Sequence, residues 1–137
     1  MDGANLGEAV LEGANLGGAR MDGAFLWQAR MERANLREAQ MEGADLRGAR
    51  TEGAKFHTAI LKSVVLTDTF ANTSVRAADL RSDSVTQEIL NNVFGDTATR
   101  IPEGLTRPDH WDTETLDWFD NDPKFEAWLK PQRASNA

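Results

Sequence analysis

The sequence predicts a solenoid, a short structural unit stacked on its own copies, and three observations lead there. Alanine recurs at every fifth position from Ala4 to Ala59. Two residues after each alanine comes a larger side chain: Leu6, Leu11, Leu16, Met21, Leu26, Met31, Leu36, Met41, Leu46, Thr51, Phe56 and Leu61. The positions between fill with Glu, Arg, Asp, Gln, Asn and Gly. This period matches neither the 3.6 of a helix nor the 2 of a strand, so each residue type is set by its place in a repeated unit.

The frame is plainest in Ala4-Asn5-Leu6-Gly7-Glu8, Ala14-Asn15-Leu16-Gly17-Gly18, Ala34-Asn35-Leu36-Arg37-Glu38 and Ala44-Asp45-Leu46-Arg47-Gly48. The motif Ala-(Asn/Asp)-Leu-x-x resembles the pentapeptide-repeat family over residues 1–82. The resemblance implies an all-β solenoid: a right-handed, quadrilateral parallel β-helix in which each pentapeptide forms one wall and four walls make a coil. The central Leu, Met or Phe and the small residue two before it would both point inward. Packing physics agrees, because a narrow tube holds one large apolar side chain per wall only if the other inward residue is tiny. Gly13, Gly18, Gly23, Gly43, Gly48 and Gly53 fall at the corner, where a permissive backbone helps the chain turn.

Val64-Val65-Leu66 continues the frame, and then Ala71 is too small for a centre. A one-residue deletion near residues 67–69 restores the pattern through Phe70, Val75 and Leu80, with Ala78-Asp79-Leu80-Arg81-Ser82 a good unit. With the family's geometry the repeat makes about four coils, on the order of 19 Å tall at about 4.8 Å per coil. Thr51 stands at a centre that is otherwise apolar, so its hydroxyl needs a backbone partner. Asn5, Asn15 and Asn35 are expected to hydrogen-bond within the wall.

Two regions follow: a β-helix over 1–82, and a helical or irregular, aromatic-rich cap over 83–137 that covers the open C-terminal end. Ser84 and Gln87 form a capping box that predicts a helix with Val85, Ile89, Leu90, Val93 and Phe94 on one stripe, ending at Gly95. Asp122-Pro123 opens a second short helix with Phe125, Trp128 and Leu129 on one side. Val85, Ile89, Val93, Phe94, Trp111, Trp118, Phe125 and Trp128 are the expected cap contacts. The stretch from Phe94-Gly95-Asp96 through Pro102-Glu103-Gly104-Leu105 to Arg107-Pro108 and His110-Trp111 looks like the tail of a subgroup of bacterial pentapeptide-repeat proteins. That implies a bacterial source and, since some members carry upstream membrane segments, a membrane-tethered longer protein as an alternative.

The chain of 137 residues carries a net charge of −7. Residues 1–82 hold eleven acids and ten bases, and 83–137 eleven acids and five bases, so the tail is the acidic part. There is no cysteine, which excludes a disulfide framework or a thiolate metal site and fits a reducing cytoplasm. No signal sequence or apolar run of membrane-span length occurs. Met1-Asp2-Gly3 is already in register with Met21-Asp22-Gly23, so the first coil is expected to be covered by preceding residues or by a second copy of the chain.

Outward positions twenty apart stack as columns. Glu12, Glu32 and Glu52 form one, with Arg30 and Arg50 on the same wall to offset their repulsion. The column is either a solubilising charge ladder or an imitation of DNA phosphates, as the resemblance to gyrase-binding members of the family would imply. Duplex DNA presents about one charge per 1.7 Å, against one acid per coil here, so the imitation is poor. Phe25 and Trp27 flank inward Leu26 and should both face outward, with Asn5 and Gly7 on one side and Asp45 and Arg47 on the other. Two large aromatics on a polar wall, with Arg47, are the candidate protein contact; the alternative is a Trp27 lying flat over Gly7.

Catalytic chemistry finds no support. His57 stands at an outward repeat position, His110 lies in the tail, and no nucleophile elbow, phosphate loop or His-Glu-x-x-His pattern occurs. Asp117, Asp120 and Asp122 lack calcium-loop spacing and read as solvated charge and helix capping. No metal or cofactor is expected, and no basic patch interleaved with aromatics points to nucleic acid. The reading is a non-catalytic scaffold or protein-interaction module with a protein partner; the alternative is a DNA-mimicking, gyrase-binding protein of the quinolone-resistance type.

Overall fold

The computed structural model describes residues 2–115 and 122–136, the last five of these as backbone alone. Trp118, Asp117 and Asp120 lie outside the described residues. The repeat is a ladder of single parallel β-bridges in four columns. Asn5, Phe25, Asp45 and Val65 pair in succession, as do Val10, Arg30 and Arg50. Asn15, Asn35, Lys55, Ser74 and Phe94 form the third column, and Arg20, Gln40, Ile60, Asp79 and Arg100 the fourth.

No bridge extends into a longer strand among the described residues, and the reason is local. One residue in five adopts a left-handed backbone: φ is +65° at Gly13, +67° at Gly23, +71° at Gly43, and also +60° at Glu38 and +58° at Thr58. Each is the third residue of a turn closed by a bond such as Ala9 N to Leu6 O, 3.0 Å, the place where a type II turn demands positive φ. Turns this frequent leave one ladder residue per wall. That residue bonds the preceding coil through both its backbone groups, as Phe25 N to Ala4 O at 2.8 Å and Leu6 N to Phe25 O at 2.7 Å.

The Asn/Asp position has its own reason. Asn5 Oδ1 accepts from Gly7 N at 3.2 Å, Asn35 Oδ1 from Arg37 N at 3.1 Å and Asp45 Oδ1 from Arg47 N at 3.1 Å. Each is an Asx turn leading into the corner. Inside, Met21, Leu26, Met31, Leu36, Met41 and Leu61, with the alanines between them, are 0–1% exposed. Leu6, Leu11 and Leu16 of the first coil pack on them but stay half-buried.

The deletion shows in the ladder: Asp45 pairs with Val65, whereas Lys55 pairs with Ser74 and Ile60 with Asp79. Phe70, Val75 and Leu80 are buried centres. Thr51 finds a side-chain partner rather than the expected backbone one. Its Oγ1 lies 2.8 Å from Thr73 Oγ1, which also reaches Thr51 O at 2.8 Å. Thr73 stands where other units carry alanine, so two hydroxyls satisfy each other beside the missing residue.

Beyond residue 82 the ladder continues, since Phe94 pairs with Ser74 and Arg100 with Asp79. Before Phe94, α1, Gln87–Asn91, lays Ile89 and Leu90 on the main core together with Val85 and Val93. Its N-cap is Thr86, whose hydroxyl accepts from Ile89 N at 3.2 Å. The predicted capping role of Ser84 is thus corrected: Ser84 Oγ donates to Val64 O at 2.7 Å and accepts from Leu66 N at 3.0 Å. Gly95 does not end the helix either, because the C-cap is Asn92. A Cβ on Gly95 would stand 2.7 Å from the Trp111 ring, so glycine is needed there for close approach. The second helix, α2, spans Pro123–Asn136.

A Cβ at Gly43 would meet nothing within 4 Å, so substitution there tests backbone strain alone. Gly43→Val should cost about 1–2 kcal/mol, and Ala34→Leu, which overfills the tube, about 1–3 kcal/mol. Glu38→Gly should stabilise by less than about 1 kcal/mol. Urea denaturation midpoints check the three directions together.

Candidate interaction surfaces

The first column carries the aromatic pair. Leu26 points into the tube, so its neighbours Phe25 and Trp27 point out, 50% and 41% exposed. Trp27 lies against Gly7, where a Cβ would come within 2.6 Å of its Nε1; the glycine seats the indole, and half of the ring still faces water. One coil further, Arg47 grips Asp45 with two bonds, Nε to Oδ1 at 2.9 Å and Nη2 to Oδ2 at 2.7 Å. The side-chain bonds from Arg47 hold the Asp45 carboxyl below its ordinary range. Val65 is exposed at the next level of the same column, separated from the aromatic pair by this ion pair.

The second column is a charge ladder. Arg30 pairs with Glu12, and Arg50 Nε with Glu32 Oε1 at 3.1 Å. Each arginine thus reaches the glutamate of the coil before it, rather than the one two residues later in sequence. Glu12 and Glu32 are thus each neutralised by the arginine of the following coil.

The third column meets the tail. Arg76, 2% exposed, is the hub: Nε pairs with Asp122 Oδ2, Nη2 reaches Asp122 Oδ1 at 3.0 Å and Asp112 Oδ2 at 2.8 Å, and Nη1 lies 3.5 Å from Asp96 Oδ2. Its guanidinium also stands over the Phe94 ring, 5.0 Å from the centroid, a cation–π contact. Burial raises the Asp112 carboxyl, but bonds from Arg76 and Lys124 outweigh it and hold its pKa at about 2. His57, outward in the repeat frame, is only 6% exposed because the tail covers it. Its Nε2 lies 3.0 Å from Ser74 Oγ and 3.7 Å from Asp122 Oδ2. Burial lowers its pKa to about 4 against the pull of Asp122, with Arg37, Arg76 and Lys55 pushing the same way as burial.

The other described tail aromatics pack against Val93 and one another. Trp111 Nε1 donates to Val93 O at 2.9 Å. His110 Nε2 stands 2.7 Å from the same oxygen, and its ring stacks on Trp128 at 5.2 Å between centroids. Phe94, Phe125 and Leu129 form a small cluster with Trp128. Sequence reasoning missed the Arg76 hub. Its one signal was the excess of acids in the tail over a nearly neutral repeat, which says that some base is covered without saying which.

Among the described residues no group of three or more His, Asp or Glu side chains could hold a metal ion, and no helix is long and apolar enough to cross a membrane. Neither histidine stands beside a serine or acid in an open cleft. His57 does stand with Ser74 and Asp122, but out of water beneath the tail.

Removing the hub cation leaves Asp122 and Asp96 without their counter-charge, while Asp112 keeps Lys124 at 3.0 Å, so Arg76→Met should cost about 3–5 kcal/mol. His57 adds an acid dependence. Its folded pKa is depressed, so above pH ~6.5 both states are neutral, and between there and about 4 only the unfolded chain takes up the proton. Stability should fall by up to about 3 kcal/mol over that interval, and His57→Gln should flatten the slope in urea midpoints measured at successive pH values.

The family of pentapeptide repeats matches the chain over residues 1–28, 18–50 and 39–75. No curated protein matches it. Among solved structures, a pentapeptide repeat protein of the Arabidopsis thaliana thylakoid lumen is similar, with TM-score 0.50 and 16% identity over 92% of this chain and 86% of that one. One from Nostoc gives 0.41 and 26% over 74% and 77%. QnrB1, a plasmid-mediated fluoroquinolone resistance protein, gives 0.40 and 15% over 96% and 72%. The five-residue frame, its stacked columns and the family match over more than half of the chain place it in one family: it is a pentapeptide-repeat protein.

Proposed function

We propose that this chain is a right-handed, four-sided β-helix of about four coils, capped by residues 83–137, that serves as a non-catalytic scaffold binding a protein partner. The observation that carries the proposal is the aromatic pair on the first column. Phe25 and Trp27 are half-exposed on a wall whose backbone is fixed by ladder bonds on both sides. Large rigid aromatics with an oriented Arg47 beside them have the composition of an interface centre, and their order before binding lowers the entropic cost of association. The lack of cysteine suits a reducing compartment such as the cytoplasm.

The charge ladder supports this reading over DNA mimicry, because Glu12 and Glu32 are paired with arginines rather than offered as a bare row of negative charge. The ladder's N-terminal edge completes the proposal. The backbone groups of Asn5, Val10, Asn15 and Arg20 that would face a preceding coil have no partner among the described residues. We place preceding residues or a second copy there; a monodisperse monomer whose first coil exchanges its amides freely would argue against both.

Phe25→Ser with Trp27→Ser should leave the urea midpoint nearly unchanged, since both side chains are outside the core, and should abolish capture of the partner or self-association. An unchanged association state removes the aromatic wall from the proposal. In a gyrase supercoiling assay the scaffold reading expects no effect; inhibition or drug protection would favour mimicry instead.

A further inference from the structure

The wall under the tail is the more selective surface. By register Arg37, His57 and Arg76 follow one another along it, and Lys55 flanks His57. Over this basic strip lies the first half of α2. Asp122 Oδ1 accepts from Phe125 N at 3.2 Å while both its oxygens engage Arg76, so one carboxylate caps the helix and ties it to the wall. Phe125 and Leu129 turn inward and are fully buried, and Trp128 stacks on His110.

Two features show how α2 is held. Its apolar contacts form a cluster of Phe94, Phe125, Leu129 and Trp128, distinct from the cluster that fills the tube. Its polar attachment is two ties to one cluster: its capping residue Asp122 reaches Arg76, and its Lys124 Nζ reaches Asp112 at 3.0 Å, while Asp112 and Asp96 of the preceding tail also bear on Arg76. A segment docked by a satellite cluster and one ionic hub opens as a unit of its own, without opening the ladder beneath. What it uncovers is an aromatic-edged seat of Arg76, His57 and Phe94, with Asp112 and Asp96 still beside the guanidinium.

We propose that this seat is a docking site for an acidic, aromatic helical segment of a partner protein, and that α2 occupies it as an internal placeholder. The ligand's chemistry is read from the occupant: an aspartate at the helix N-cap facing Arg76, an aromatic three residues on, and Trp-Leu one turn later, which is helix-in-groove recognition with an ionic anchor. A nucleic acid supplies the charge but no apolar side chain for the Phe94 edge, so the helix is favoured. The site lies on the third column and does not rest on the aromatic wall of the first.

The test uses the full chain and a fluorescent peptide of residues 122–136. The wild-type chain should bind the peptide weakly, because its own α2 fills the seat. Phe125→Ala, which loosens α2 but leaves the seat intact, should raise peptide affinity by roughly ten-fold or more, as release of an internal competitor requires. A peptide with Asn in place of the capping Asp should lose most of that gain. Asp122→Asn in the chain is the second variant, and hydrogen exchange is the second readout: α2 amides should lose protection while those of Leu46 and Phe56 keep theirs. Opening of α2 and ladder together in both variants overturns the proposal, as does an exposed seat that gains no peptide binding.

Discussion

The left-handed residue that recurs once per wall is the constraint on which the rest depends. It turns the chain every five residues, and so it decides that a wall is one ladder residue long, that successive coils are in register at twenty, and that side chains immediately before and after a centre point to water. Glycine meets the requirement freely at Gly13, Gly23 and Gly43, while Glu38, Thr58 and Ala77 adopt the same conformation against their preference. Their N–H groups bond forward and hold them there, Glu38 to His57 O at 2.9 Å, Thr58 to Arg76 O at 3.0 Å and Ala77 to Asp96 Oδ1 at 3.1 Å. A turn this tight brings the walls close together, and the closeness is what restricts the second inward residue to alanine. The size rule in the sequence is thus a consequence of the turn rule.

Where the frame breaks, the structure repairs it with polar atoms. The deletion after Leu66 removes the residue that would have extended the second column beyond Arg50, and Thr51 and Thr73 meet there in place of an apolar centre and an alanine. A buried hydroxyl pair satisfies itself where a single one would carry a desolvation cost. The tail then resumes the ladder at Phe94 and Arg100 instead of lying across its end as a separate piece. Phe94 accordingly has two duties, pairing with Ser74 through its backbone and receiving Phe125 and Arg76 with its ring.

What the sequence made legible was whatever repeats. The centres, the alanines, the Asx turns at Asn5 and Asn35, and the missing residue near 67–69 all follow from comparing each unit with its copies. The tail has no copy to compare with. Ser84 satisfied the local rule for a helix cap, but Thr86 satisfied it as well, and only the presence of Val64 O and Leu66 N beside Ser84 decides between them. Gly95 looked like a helix terminator because glycine commonly is one, whereas its missing side chain makes room for Trp111. The Arg76 pairs span 36 and 46 residues, and no spacing argument reaches that far. His57 was placed correctly on the outside of the tube, and the tail that buries it could not be seen from the frame.

The two charge systems differ in what they can hold together. Arg30 and Glu12 are each close to half-exposed, so water competes for both and the pair contributes little. Such a ladder can vary without consequence for the fold, which is why a row of glutamates is weak evidence of a binding site. Arg76 and its aspartates are out of water, where geometry decides whether burial of charge is tolerated at all, and their arrangement specifies where the tail lies. The aromatic pair stands apart from both. Neither Phe25 nor Trp27 fills the tube or anchors the tail, and a polar residue at either place would serve the ladder as well. The fold gives no reason for two large rings on that wall; the contact proposed above would supply one.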